Sequence, residues 1–350
     1  MADSFAQLVK QQRPNRERPN QERPIPARLL FCVSIFLMLL VSAGSAASQT
    51  ADSTAKLTAP QARTPYSLSV AVDEVVLTFY AADAHGLPIR DLKLDELRLL
   101  DNGKPPLRVL AFASLEDVPI RAGILMDMSA SMDDARSTQR AIAIRYTQQL
   151  LRQQTDQAFV INFDRRPRVS QSWTNNTFAL IDGIRNRDVK TNGEGRIGGT
   201  AIFDAIYHAC HDQFAAIDRS ASGNFILLFS DGEDNASDMS LKDAVNMCQS
   251  ANTAIYAFRA ESEPRLSATG PRTLAELTSQ TGGRVFRADD TDAAVVEALR
   301  TIEADLRNQY RLVYKPAELN RDGSFHCIEL QGAQRVAQIT VRSGYYAPAR

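Results

Sequence analysis

Five side chains in this 350-residue sequence combine a type and a spacing that could do chemistry. In GILMDMSASMDD, residues 123–134, an apolar run stops at Asp127, and Ser129 and Ser131 follow at alternate positions. A second apolar run, NFILLFS at 224–230, stops at Asp231. Thr200 ends the glycine-rich stretch TNGEGRIGGT, residues 191–200, and opens a helical pattern. Two carboxylates and three hydroxyls are all hard oxygen donors, the set preferred by Mg²⁺, with Mn²⁺ or Ca²⁺ as alternatives. No His or Cys belongs to the set, which argues against zinc or copper. Taken singly, Asp127, Ser129 and Thr200 read as readily as helix caps, and Asp231 with Gly232 as a turn. A phosphorylated Asp127 is the other chemistry that such a strand end allows.

Strand ends must position these residues. From about 118 to 307, apolar runs without polar alternation (IRAGILMD, QAFVINFD, NFILLFS, TAIYAFRA, GRVFRA) alternate with amphipathic helical patterns, and PRVSQSWT reads as an edge strand. That order predicts an α/β domain, Rossmann-like, with a mainly parallel central sheet and helices on both faces. In an open parallel sheet, ligands collect outside the carboxyl ends of the strands, where the strand order switches. Asp127 and Asp231 both stand at such ends.

Asp127-Met128-Ser129-Ala130-Ser131, then Gly199-Thr200, then Ser230-Asp231-Gly232 resemble the metal-ion-dependent adhesion site of von Willebrand factor type A domains. One DxSxS alone is a weak signal; three pieces in order, on the right elements, are a strong one. The likeness covers 118–307, and the wider chain from 67 to 348 resembles exported bacterial proteins in which such a domain sits between β segments. The resemblance implies that Ser129, Ser131 and Thr200 bind the metal directly and that Asp127 and Asp231 bind it directly or through water. A carboxylate from a partner protein would complete the octahedron. Many relatives have Gly where this chain has Ala130, at a position that varies in the family. The implied function is capture of an Asp or Glu side chain of a partner protein through Mg²⁺, without catalysis. The alternatives are a Mg²⁺-dependent phosphatase-like hydrolase with Asp127 as nucleophile, and a purely structural module whose metal pins its loops.

The phosphatase alternative needs a second Asp two positions after the nucleophile as general acid, and Ser129 occupies that place. A GxSxG nucleophile elbow is missing, since Ser129 and Ser131 are flanked by Met and Ala residues. GEGRIG, residues 193–198, spells GxGxxG, but it follows a helical segment rather than a strand, so a dinucleotide site is discounted. His208 and His211 lie three apart on one helical pattern and read as an exposed face. Glu233 and Asp234 either tune the site or only solvate their loop.

The flanks are of other kinds. Residues 1–28 form a basic tail with Lys10, Arg13, Arg16, Arg18, Arg23 and Arg28, and 29–47 hold the apolar run LLFCVSIFLMLLV followed by small residues. That pattern predicts a signal peptide or a membrane anchor, and so an exported chain, secreted or periplasmic or held at the membrane by 29–47. Residues 48–66 read as a linker. A β module follows at 67–115, with a DNG turn between two β-rich runs, and 308–350 return to β pattern. Either β piece alone would be marginal, so the two are expected to pack together, in a small β-sandwich, with the α/β domain inserted between them. Export permits disulfides; Cys210 and Cys248 are expected on neighbouring helices, either bonded or as two buried thiols. A net charge of −1 gives no sign of nucleic acid as a partner.

Overall fold

The computed structural model of the chain describes residues 74–152, 154–186, 198–215, 223–260, 269–288 and 291–349. The basic tail, the apolar segment 29–47, the linker 48–66 and the start of the β module up to 73 lie outside the described residues, as does GEGRIG apart from Gly198. Among the described residues no helix is long and apolar enough to cross a membrane.

Three strands come first: β1 (Val75–Ala82), β2 (Leu97–Asp101) and β3 (Arg108–Glu116). The α/β domain follows as β4 (Ile120–Asp127), α1 (Arg136–Gln149), β5 (Gln157–Phe163), β6 (Pro167–Thr174) and α2 (Thr177–Arg185). Then come α3 (Ile202–His208), β7 (Gly223–Ser230), α4 (Leu241–Ser250), β8 (Thr253–Arg259), α5 (Thr269–Thr281), β9 (Val285–Arg287) and α6 (Asp292–Arg307). The sheet order is β6-β5-β4-β7-β8-β9. All neighbours are parallel except β6, the expected edge strand, which runs antiparallel to β5. The chain starts at β4, builds outward through β5 and β6, and then returns to the other side of β4 as β7. The switch in strand order therefore lies between β4 and β7.

Both faces of this sheet are covered, which is why its strands lack polar alternation. Ile124, Met126, Val160, Leu227 and Phe229 pack with Ile142 and Tyr146 of α1, Leu180 of α2 and Leu299 and Ile302 of α6. The alternate residues Leu125, Phe159, Ile161, Ile226 and Leu228 face the other way, against Ile206 of α3, Val245 of α4 and Leu274 of α5. Each such side chain, fully buried, contributes about 1.5–3 kcal/mol relative to exposure. On the second face, α3 continues into a π-helical turn, Ala209–Phe214, and Cys210 in that turn forms a disulfide with Cys248 of α4.

After α6 the chain passes without a linker into β10 (Asn308–Lys315), followed by β11 (Phe325–Gly332), β12 (Gln338–Val341) and β13 (Gly344–Tyr346). Two antiparallel sheets result, β12-β1-β10-β3 and β13-β11-β2. They enclose a third core in which Leu77, Phe79, Tyr310, Leu312 and Tyr314 of one sheet share a cluster with Leu99, Ile328 and Tyr345 of the other. The DNG turn forms, with Asn102 and Gly103 at φ 49° and 73° and reciprocal Asp101–Lys104 backbone bonds of 3.0 and 2.8 Å. The runs on either side of it do not pair, however: β2 pairs with β11 and β3 with β10.

One buried ion pair ties the junction. Arg307, the last residue of α6, places Nη2 2.6 Å from Asp156 Oδ2, and Nη2 also donates to Leu150 O at 3.3 Å. Its Nε donates to Glu303 at 2.9 Å. Asp156 further accepts from the backbone N–H of Ile120 and of Arg152, both at 2.9 Å. Burial alone would raise the Asp156 carboxyl, but the Arg307 guanidinium and these two N–H groups outweigh it and hold it below its ordinary value.

Candidate functional site

The buried run of β4 ends on Asp127, whose side chain is fully buried. Its Oδ1 accepts from the backbone N–H of Ser129 at 2.9 Å, an Asx-type turn that bends the chain out of the sheet. Its Oδ2 accepts from the Ser230 hydroxyl at 2.7 Å, which bridges the ends of β4 and β7. The hydroxyls of Ser129 and Ser131 lie 3.2 Å apart, at the start of a 3₁₀ turn, Ala130–Met132, that leads to α1. Ser129 is buried and Ser131 exposed, so this hydroxyl pair runs from the interior to the surface. Arg136 holds the turn from outside, donating to Met128 O and Ser129 O at 3.2 and 3.1 Å and pairing with Asp133 at 2.5 Å.

Asp231 follows β7 directly and is buried, with Oδ1 accepting from the Glu233 N–H at 3.0 Å. Gly232 adopts φ +91°, and a Cβ there would collide with Gly270 O, so only glycine suits this close turn. Thr200 is buried and bound to the same loop: its N–H donates to Asn235 Oδ1 at 2.8 Å, and its carbonyl accepts from the N–H groups of Asn235 and Ala236 at 3.0 and 3.1 Å. The next N–H, that of Ala201, donates to Asp164 O just beyond β5, and Met128 N–H donates to Phe163 O, both at 2.7 Å. Three strand ends, β4, β5 and β7, thus hold one another through backbone and side-chain bonds. Asp127, Ser129, Ser131, Thr200 and Asp231 all stand on these linked loops, beside the switch between β4 and β7.

Burial pushes the Asp127 carboxyl up to about 6; the Ser129 and Ser230 hydrogen bonds pull against that rise, and the charge of Asp231 adds to it. A carboxylate destabilised first by burial and further by a neighbouring acid is a place where a cation favours the charged form. The donors are oxygen throughout. Among the described residues no cluster of three or more His, Cys, Asp or Glu side chains could hold a metal, so a cation at this site would depend on hydroxyl donors as well as the two acids.

The neighbouring acids serve the loops. Asp234 Oδ2 accepts from the N–H groups of Ile202 and Phe203 at 2.7 and 3.1 Å, at the start of α3, and Glu233 accepts from Gly270 N–H of α5 at 2.9 Å. Ser230 and Asn235, which hold Asp127 and Thr200, were not singled out as separate contributors by sequence. Ser230 precedes Asp231 directly, whereas nothing local marks Asn235 as the partner of a residue 35 positions earlier. His208 and His211 lie on an exposed face, and each ring Nδ1 contacts Asp212, at 2.9 and 2.6 Å.

The profile of the von Willebrand factor type A domain matches residues 123–302. No curated protein shows a significant match. Among solved structures, the conserved hypothetical protein BatB from Bacteroides thetaiotaomicron is 16% identical, with 52% of this chain and 97% of that one covered at a TM-score of 0.41. An aerotolerance-related membrane protein from Bacteroides fragilis is 15% identical, with 52% and 98% covered at 0.42. Proximal thread matrix protein 1 from the mussel byssus, with a zinc-occupied MIDAS motif, is 13% identical, with 59% and 50% covered at 0.43.

Proposed function

This chain belongs to the von Willebrand factor type A domain family, and from that premise we propose that it is a protein-binding module which captures an acidic side chain of a partner through a divalent cation. Ser129, Ser131 and Thr200 supply neutral oxygen ligands; Asp127 and Asp231 supply the charge, directly or through water. Mg²⁺ suits this set of hard donors, with Mn²⁺ and Ca²⁺ as substitutes. The observation that carries the reading is the linkage of these five residues across three adjoining strand ends, with an Asp127 that burial, and to a lesser degree Asp231, disfavours as an anion. The bound ion would supply a positive charge that bridges to a carboxylate these two acids would otherwise repel.

The partner is a protein that offers an Asp or Glu, and the work of the domain is adhesion rather than turnover. We place it outside the cytoplasm, exported by or anchored through residues 29–47. The Cys210–Cys248 disulfide supports an oxidising compartment. The test is thermal unfolding of the full chain with and without millimolar Mg²⁺ or Mn²⁺. A cation at about 100 times its Kd stabilises by roughly 2.7 kcal/mol, a shift that Asp127→Ala abolishes. Thr200→Ala, which leaves the charge unchanged, weakens cation-dependent capture of envelope proteins more than it weakens folding. A melting curve indifferent to cation in the parent chain would overturn the reading.

A further inference from the structure

A second concentration of charge lies away from the strand ends just described, where α4 meets the β-sandwich. A cleft of about 640 Å³ opens there, with Lys242, Asn246 and Gln249 of α4 on one side. Arg311 of β10, Arg342 just after β12 and the rings of β13 line the other. Its size falls within the range of about 300–1,000 Å³ typical of small-molecule sites.

Its charges do not balance. Arg342 donates from Nη2 to Val76 O at 2.9 Å and lies over the Tyr345 ring at 5.8 Å, while its Nε is buried without a hydrogen-bond partner. Burial holds its pKa below the ordinary arginine value, against the pull of Tyr314, Tyr345 and Asp101 nearby. Asp305 shares a smaller cavity with Arg342, but Arg284 already pairs with it at 3.4 Å. Lys242 Nζ donates to Gly323 O at 2.9 Å and sits 4.5 Å above the Tyr346 ring, and it makes no ion pair among the described residues. Arg311 makes no ion pair among the described residues. Among the described residues the lining thus sets three cations against one carboxylate, the exposed Glu74.

A half-buried guanidinium whose one hydrogen bond among the described residues goes to a neutral carbonyl is costly, and an excess of two positive charges matches the roughly −1.5 to −2 charge of a phosphate monoester at neutral pH. The planar fork of arginine fits phosphate oxygens. We propose that this cleft binds a small phosphate monoester, its phosphate on Arg342, Arg311 and Lys242 and its organic part against Tyr345 and Tyr346. The site is independent of the cation site and of the function proposed for it.

Calorimetric titration of the full chain with inorganic phosphate and with glycerol 3-phosphate tests this, at constant ionic strength and with EDTA present so that no cation carries phosphate to the other site. Saturable binding of both is expected, with glycerol 3-phosphate at least as tight. Arg311→Gln and Lys242→Gln should each weaken it about ten-fold or more. These rim variants keep the test usable if Arg342→Gln fails to fold. Heat that does not saturate, affinity unchanged in both rim variants, or equal binding of succinate would overturn the proposal.

Discussion

Arg307→Leu should be among the most damaging substitutions outside the hydrophobic core. The side chain is 5% exposed and its partner Asp156 is 0% exposed, so neither charge has water to fall back on. The substitution removes the guanidinium and leaves Asp156 with the N–H groups of Ile120 and Arg152 and the Thr155 hydroxyl, none of them charged. Removing one partner of a buried pair costs about 3–5 kcal/mol, because the other charge stays buried and uncompensated. Glu303, less deeply buried at 29% exposed, can turn to solvent and adds little. At an unfolding entropy of about 2.1 cal/mol/K per residue, a chain of 350 residues loses roughly 1–2 °C per kcal/mol, so the melting temperature should fall by roughly 3–10 °C. Urea unfolding at several pH values checks the cause. In the parent, the folded pKa of Asp156 is depressed, so its contribution is present above the unfolded value near 4 and is lost as pH falls through the folded one. In the variant, burial is opposed only by the neutral hydrogen bonds of Ile120, Arg152 and Thr155, so the pKa rises from its parent value, protonation relieves the penalty and the gap between the two proteins narrows on acidification. A loss under about 1 kcal/mol at pH 7, or a gap that stays constant down to pH 4, would refute the reasoning.

Two further outcomes follow from buried groups. Without reductant, Cys210 and Cys248 should resist alkylation under denaturant while the exposed Cys327 reacts, and replacing both with Ser should lower the unfolding free energy by about 2–4 kcal/mol; two reactive thiols at 210 and 248 in mass spectra would dismiss the bond. Asp305 is pushed up to about 6 by burial, against the pull of Arg284 and Tyr256. A carboxyl raised in the folded state makes stability fall as pH rises from about 4 to about 6, and Asp305→Asn should remove a drop on the order of 2 kcal/mol in that window; parallel stability profiles for the two proteins would contradict this.

The α/β layers were legible because their signal is local. Strands buried on both faces read as unbroken apolar runs, and the acids at 127 and 231 mark where the apolar runs of β4 and β7 end. Sheet membership was less legible. The segment VAQITVRSGYY reads as one strand, yet β12 pairs with β1 and β13 with β11, because the chain changes sheets at Arg342 and Ser343. The DNG turn stands between two β-rich runs, but Pro105 and Pro106 follow it and β3 finds its partner about 200 residues later. The Arg307–Asp156 pair was invisible for the same reason, since its two members lie 151 positions apart. Glu233 and Asp234 looked like charge near a site, and their hydrogen bonds to helix starts became visible only in three dimensions.

The chain crosses between the α/β domain and the sandwich at two points that are themselves neighbours. Asn308 pairs with Glu116 across β10 and β3, and Asp117 N–H donates to Arg307 O at 2.8 Å. Two legs planted side by side behave differently from a single tether. A load applied at the exposed Ser131 end of the domain would reach the sandwich through two backbones at the mouth of one strand pair and through the α4 and α5 contacts beside them. The same arrangement makes residues 118–307 a cassette. Joining β3 to β10 by a short turn would close the sheet behind it, and another domain with closely spaced ends could occupy its place.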